Sequence, residues 1–149
     1  MPTSDRDLVG AWWDEAWNQG LWAASWSKSI DGLTPQQAAW IPAPGRHSIW
    51  QIVMHMVFWR ESWIRRAADG VKPSPTELAT LNFPTLTDTS AAAWETARKR
   101  FAESQDNVAK AIRQAWPGSE PLMYLLPHDC YHFGQINYLR AMQGLKAIE

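Results

Sequence analysis

Residues 47–59 of the chain are HSIWQIVMHMVFW, and this stretch indicates most directly how the protein folds. Ser48 and Gln51 fit a capping box, in which the Ser hydroxyl accepts from an early backbone N–H and the Gln side chain reaches back to the cap. A helix is therefore predicted to begin here. Apolar residues recur along it at helical spacing as far as the turn pair Asp69-Gly70, where it is expected to end.

Upstream of this helix, residues 4–28 contain no proline and carry large apolar residues, among them Val9, Trp13 and Trp17, at near-helical spacing. One long helix is predicted over this range, ending near Asp31-Gly32. A short extra turn is expected to begin at Pro35, since proline is favoured at the first position of a helix. Residues 41–45 form a loop by composition.

Downstream, prolines 73, 75 and 84 mark a long connection. A third helix is predicted from Asp88 or Thr89 to Pro117-Gly118, and a fourth from Pro121 to about Gly144. No segment shows the sustained period-two alternation of a strand. The sequence therefore predicts an all-α fold, a four-helix bundle with long Pro-rich connections, and one domain over residues 1–149.

Charge and composition narrow the possible functions. The chain has 14 Lys plus Arg against 15 Asp plus Glu, which gives no charge excess for binding nucleic acid or an anionic membrane surface. No signal peptide or membrane span is visible, so a soluble, cytoplasmic protein is expected. The single Cys130 excludes an internal disulfide. We expect it to point away from any site and to be a small packed residue.

The chain also has 11 tryptophans, each of which buries on the order of 200 Å² and needs a partner for its indole N–H. Most of them are expected in the core or in a pocket wall. With 46% hydrophobic residues, more apolar surface is available than one small bundle can hide, and a homodimer is predicted.

Histidines are the most informative residues for function. His128 and His132 are four residues apart on the predicted fourth helix, so their side chains lie about 6 Å apart on one face and can chelate one ion. At 100° per residue this face also carries an apolar stripe, which predicts that both imidazoles point inward. The stripe consists of Tyr124, Leu125, Gln135, Leu139 and Met142.

A third ligand is predicted from His55, which shares the inward face of its helix with Gln51 and Trp59. Three imidazoles leave coordination positions open, as in catalytic rather than structural sites. His47 lies about 12 Å of helical rise from His55 and cannot share that ion, so it is expected to be a surface or loop residue. A packed cluster of hydrogen-bonded histidines without metal remains an equal alternative on these residues alone.

Two segments together resemble a known family. HSIWQIVMHMVFW at 47–59, followed by HDCYHFGQINYLR at 128–140, is similar to the paired signatures of the DinB/YfiT-like superfamily, a His in the second helix and H-x-x-x-H-x-G-Q-I in the fourth. The resemblance implies a four-helix bundle with metal ligands at His55, His128 and His132. It also implies an ion such as nickel or zinc. The family name refers to induction by DNA damage, which is an expression property and a link to stress response, not to DNA binding.

Several family members are thiol-dependent transferases or isomerases that use bacillithiol, mycothiol or glutathione. The resemblance thus favours a metal-dependent thiol transferase acting on a small electrophilic substrate. A non-catalytic metal or ligand-binding protein, a structural metal between two helices and a metal-dependent hydrolase are the alternatives. No Asp or Glu is expected beside the ligands on the inward faces, and the lack of an obvious general base favours thiol transfer over hydrolysis.

Four residues are expected to surround the ligands, and two more aromatics are candidates for the pocket wall. Gln135 lies one turn from His132 and could orient a ligand or a metal-bound water, or could be a buried amide satisfied by backbone. The other three are Gln51, Trp59 and Tyr124. Trp63 and Tyr131 are the further candidates, although aromatics at helical spacing more often belong to the core.

Overall fold

The computed structural model describes residues 4–114 and 116–148, and this part of the chain is helical without a strand. Its α-helices are α1 (Asp5–Asn18), α2 (Trp26–Ile30), α3 (Pro35–Ala39), α4 (Ile49–Asp69), α5 (Pro75–Leu81), α6 (Ala91–Gln114) and α7 (Leu125–Met142), with a 3-10 helix at Glu120–Tyr124. The all-α prediction is confirmed. No helix in the described ranges is both long and apolar enough to cross a membrane.

The start of α4 is the predicted capping box. Ser48 Oγ accepts from Gln51 N at 3.2 Å, and Gln51 Oε1 accepts from Ser48 N at 3.0 Å. The helix ends at Gly70, whose φ of 71° places it in the left-handed region that favours glycine. Both predicted ends of the helix that carries His55 are thus confirmed.

The prediction of a single helix over residues 4–28 is wrong. α1 ends at Asn18, and Gly20 turns the chain with φ of 77°, where an added Cβ would lie 1.9 Å from the carbonyl oxygen of Ala23. Helix α2 then begins after Ser25, whose hydroxyl accepts from Lys28 N at 3.4 Å. The apolar spacing continued across this turn because both helices bury tryptophans, so periodicity alone did not reveal the break.

The Pro-rich connection between α4 and α6 contains a helix that was not predicted. Ser74 and Glu77 form a capping box, and Pro75 occupies the first helical position, so α5 had a recognisable start signal. None of its residues is buried. Its end brings Asn82 against α4, which matters for the site described below.

The core lies where α4 packs on α6 and α7 and where α1 packs on α6. Tryptophans fill much of it, and two of them donate the indole N–H to a backbone oxygen: Trp13 to Gln105 O and Trp94 to Leu33 O, each at 3.0 Å. Among the described residues Trp12 and Trp22 are exposed, which is compatible with the prediction that most tryptophans lie in the core or a pocket wall.

The buried face of α7 differs from the predicted stripe by roughly a quarter turn. It centres on Leu125, Asp129 and Ile136, whereas Tyr124 and Met142 are exposed. The stripe was misplaced because an aspartate was not expected in the core. Cys130 is also exposed rather than packed.

Candidate metal centre

Three histidine side chains converge between α4 and α7. His55 comes from the middle of α4, and His128 and His132 lie one turn apart on α7. Their ligand nitrogens all lie within 4.8 Å of one another, and His55 and His132 are buried while His128 is half-buried. This cluster can hold one metal ion.

Each imidazole is fixed by a hydrogen bond at Nδ1. His55 Nδ1 lies 3.0 Å from the backbone oxygen of Asn82, His128 Nδ1 lies 2.7 Å from Asp129 Oδ1, and His132 Nδ1 lies 2.8 Å from Gln135 Oε1. Carbonyl and carboxylate oxygens only accept, so Nδ1 carries the proton in each ring. Nε2 is therefore the lone-pair nitrogen in all three, and such outer partners are typical of histidines that bind metal.

The pKa of two of these rings is lowered. Burial lowers the pKa of His55 to about 4, and repulsion from His132 and His128 when these rings are protonated adds to the shift, while the hydrogen bonds with Asn82 oppose it. Burial also lowers the pKa of His132, although its hydrogen bond to Gln135 opposes the change. Both imidazoles are consequently neutral near pH 7, which is the form that binds a metal.

Behind His128 lies a fully buried ion pair that the sequence did not predict. Asp129 Oδ2 accepts from Arg60 Nε at 2.7 Å, and both side chains are 0% exposed. The expectation that no acidic residue would lie beside the ligands is therefore wrong. However, Asp129 uses one oxygen for His128 and the other for Arg60, so it is a positioning group and not a free base.

Arg60 is held on several sides by the core. Its Nη1 donates to Ser104 Oγ at 2.9 Å, and its guanidinium lies over the rings of Phe101 at 4.2 Å and Trp13 at 4.8 Å. Burial lowers the pKa of Arg60, and the adjacent Asp129 carboxylate opposes this change. The charge is retained because an arginine does not lose its proton in a protein.

The His55 side of the cluster is held by the connection after α5. Asn82 Oδ1 lies 2.8 Å from His55 Nδ1 and also accepts from Trp59 Nε1 at 2.9 Å. Next to it, the ring of Phe83 stacks on His55 at 4.1 Å and on His47 at 3.8 Å. His47 is exposed, as predicted for a loop residue, but it adjoins the site through Phe83.

Two pockets reach the cluster. The larger, of about 1090 Å³, is bordered by His55 and His132, and Tyr131 and Gln135 also line it. The smaller, of about 500 Å³, is bordered by His128. Its wall contains three aromatic residues singled out in the sequence: Trp59, Trp63 and Tyr124.

The structure places the remaining predicted residue, Gln51, outside both pocket linings. Its amide donates to Pro84 O at 3.1 Å, so besides capping α4 it tethers the connection that supplies Asn82 and Phe83. Sequence reasoning missed Asn82, Asp129 and Arg60. The capping box of α5 could have indicated that an ordered segment delivers Asn82.

Comparison with known proteins agrees with this geometry. A family model described as the DinB superfamily matches residues 21–144, which covers most of the chain and all three histidines of the cluster. Neither the curated proteins nor the solved structures contain a match.

Proposed function

Because the chain belongs to the DinB superfamily, we propose that His55, His128 and His132 hold one divalent metal ion, nickel or zinc, for thiol transfer to a small electrophile. We assign the family's four-helix bundle to α1, α4, α6 and α7, with the remaining short helices as connections. The observation that carries the metal proposal is that all three Nδ1 atoms are engaged, which leaves three Nε2 lone pairs for one ion.

A divalent ion held by His55, His128 and His132 would lower the pKa of a bound thiol and so favour its thiolate form near neutral pH. Three protein ligands suit this role, since they leave a position open for a cosubstrate. The proposed reaction is addition across a π bond of the acceptor: a bond forms between the thiol sulfur and the electrophilic carbon, and the π bond breaks. The proton that the thiol releases is balanced by one that the acceptor takes up at the other end of that bond. It needs no oxidant or reductant.

The side chains around the cluster support thiol addition over hydrolysis. Neither pocket lining contains an Asp or Glu among the described residues, and the one acid that touches a ligand, Asp129, is fully engaged. A water nucleophile would need a general base that these side chains do not provide. The residues instead orient the ligands: Asn82, Asp129 and Gln135 accept hydrogen bonds from the three imidazoles.

Metal content tests the site itself. Untagged protein should contain close to one divalent ion per chain by elemental analysis, and His128→Ala should lose it. His47→Ala is the matched control, because this ring is outside the cluster and should leave the metal content unchanged. Retention of the ion in all three ligand variants, with loss in His47→Ala, would overturn the assignment.

Turnover tests the chemistry. Metal-loaded protein should accelerate addition of bacillithiol, mycothiol or glutathione to an electrophile, and removal of the ion or His132→Ala should abolish this. The helical signal of His132→Ala should remain, since the core does not depend on that ring. A structural metal predicts the reverse, a large fall in melting temperature with no activity with any thiol.

A homodimer is a separate proposal, supported by large aromatic side chains that are exposed outside the two pocket linings. Trp12 and Trp22 are 42% and 103% exposed, and tryptophan is enriched in interfaces. Light scattering at tens of micromolar should give twice the chain mass of 17.0 kDa. A monomer mass would exclude the dimer.

A further inference from the structure

Different histidines of the cluster border the two pockets. His55 and His132 border the larger one and His128 the smaller one, and no residue lines both. The ring centroids of His55 and His128 are 5.3 Å apart, so both pockets end at the same cluster. Two molecules can therefore reach the cluster together without sharing a binding surface.

The smaller pocket has an uncharged, largely aromatic wall. Apart from His128, its lining consists of Trp59, Trp63, Pro121, Tyr124 and Leu125. The indole N–H of Trp59 is already bonded to Asn82, so this ring offers the pocket its apolar surface. At about 500 Å³ the space suits a small ring system, held by stacking and apolar contact instead of charge.

The larger pocket has a different character. Arg46 is the one permanently charged side chain among its described lining residues, and no carboxylate pairs with it in the described parts of the chain. Gln135, Tyr131 and Tyr138 add polar groups to the same wall. A guanidinium with no acidic partner favours a ligand that brings its own carboxylate or other anion.

We propose that the two pockets divide the ligands by charge: the larger pocket binds an anionic molecule through Arg46, and the smaller pocket binds an uncharged aromatic or apolar molecule beside His128. The two preferences stand on the pocket walls alone. That the anionic ligand is a thiol with a carboxylate of its own, such as glutathione or bacillithiol, and the uncharged one its electrophilic acceptor rests on the proposed function.

Two probes with the same ring test this division. 2-Naphthoate carries a carboxylate, and naphthalene-2-methanol is uncharged. Binding of each is measured by calorimetry with the protein of residues 1–149 as purified, and again after treatment with a chelator to remove any metal. Both probes should bind in both states, and saturation with one should leave the other's affinity unchanged.

Substitutions then assign each probe to its pocket. Arg46→Gln should weaken 2-naphthoate about tenfold and leave naphthalene-2-methanol unaffected. Tyr124→Ala should weaken naphthalene-2-methanol about fivefold, while Tyr138→Ala, an equally exposed tyrosine in the other pocket, should not. All three side chains are on the surface, and circular dichroism should show unchanged folding.

The proposal is overturned if the two probes compete, if Arg46→Gln affects both equally, or if Tyr124→Ala and Tyr138→Ala weaken the same probe. Since the affinities are also measured without metal, these results are independent of whether the cluster binds an ion. A protein with the expected probe binding and no metal would contradict the proposed function and leave the pocket assignment intact.

Discussion

His55 and His128 present the same nitrogen to the proposed ion, yet two different parts of the molecule hold them in place. His128 is oriented by Asp129, which is fully buried with Arg60 where α4 meets α7. His55 is oriented by Asn82, which follows α5, a short helix without a buried residue. One half of the site is thus part of the core, and the other belongs to a surface connection. Substitutions in the two halves should therefore separate stability from metal binding.

The largest effect is expected at Asp129. Asp129→Ala leaves Arg60 buried without its partner and should lower the free energy of unfolding of the metal-free protein by about 3–5 kcal/mol, measured by urea denaturation. Asp31→Ala is the matched control. It also removes a carboxylate from an arginine, but that pair with Arg98 is exposed, so the loss should stay below about 1 kcal/mol. Equal losses in the two variants would contradict a special role for the buried pair.

A double substitution separates the two roles of Asp129. Arg60→Met with Asp129→Leu replaces the ion pair with apolar side chains of similar size, and should restore most of the lost stability. Metal affinity, measured by competition with a chelator, should remain about 10–100-fold below that of the original protein, because His128 still lacks its acceptor. If affinity recovers along with stability, Asp129 acts only through folding.

At Asn82 the larger effect should be on metal affinity and the smaller one on stability. Asn82→Ala removes the acceptor side chain shared by His55 and Trp59 but keeps the backbone oxygen, so metal affinity should fall about tenfold. Stability should change by no more than about 1.5 kcal/mol, since only hydrogen bonds near the surface are lost. Asn18→Ala is the control, because that amide bonds only to its own helix at Asp14 O and should alter neither quantity much.

The same contrast explains how much of the site the sequence could predict. His55, His128 and His132 follow from helical spacing, which is local, and the capping box at Ser48 fixed where their first helix begins. Asp129 and Arg60 could not be found in this way, because each looks like a solvated charge until the other is placed beside it. Pairing across 69 positions of sequence depends on how α4 and α7 pack.

Asn82 was missed for a different reason. The prolines at 73, 75 and 84 favoured a plain loop, although Ser74, Pro75 and Glu77 together specify the start of a helix. The turn at Gly20 was hidden in a similar way, since tryptophans on both sides of it kept the apolar spacing of one continuous helix. At both places the local residues indicated the correct structure, but the apolar periodicity and the proline content around them favoured a continuous helix in one case and a loop in the other.

The smallest loss of metal affinity is expected at Gln135, a neutral acceptor on the same helix as its ligand His132. This residue tests whether such an acceptor affects metal binding as strongly as Asp129 in the core or as Asn82 in the surface connection. Its Oε1 accepts from His132 Nδ1 at 2.8 Å, and its Nε2 donates to Tyr131 Oη at 3.1 Å, so all three groups lie within one turn of α7. Because the helix fixes His132 independently of this amide, Gln135→Ala should reduce metal affinity by at most about tenfold, with stability changed by less than about 1 kcal/mol.

Gln143→Ala, which removes another half-buried amide just after α7, should leave affinity unchanged. If Gln135→Ala reduces metal affinity as much as the loss of Asp129 does, the charge and burial of the acceptor do not determine its contribution to metal binding. The division of the site into a core half and a surface half would then be wrong.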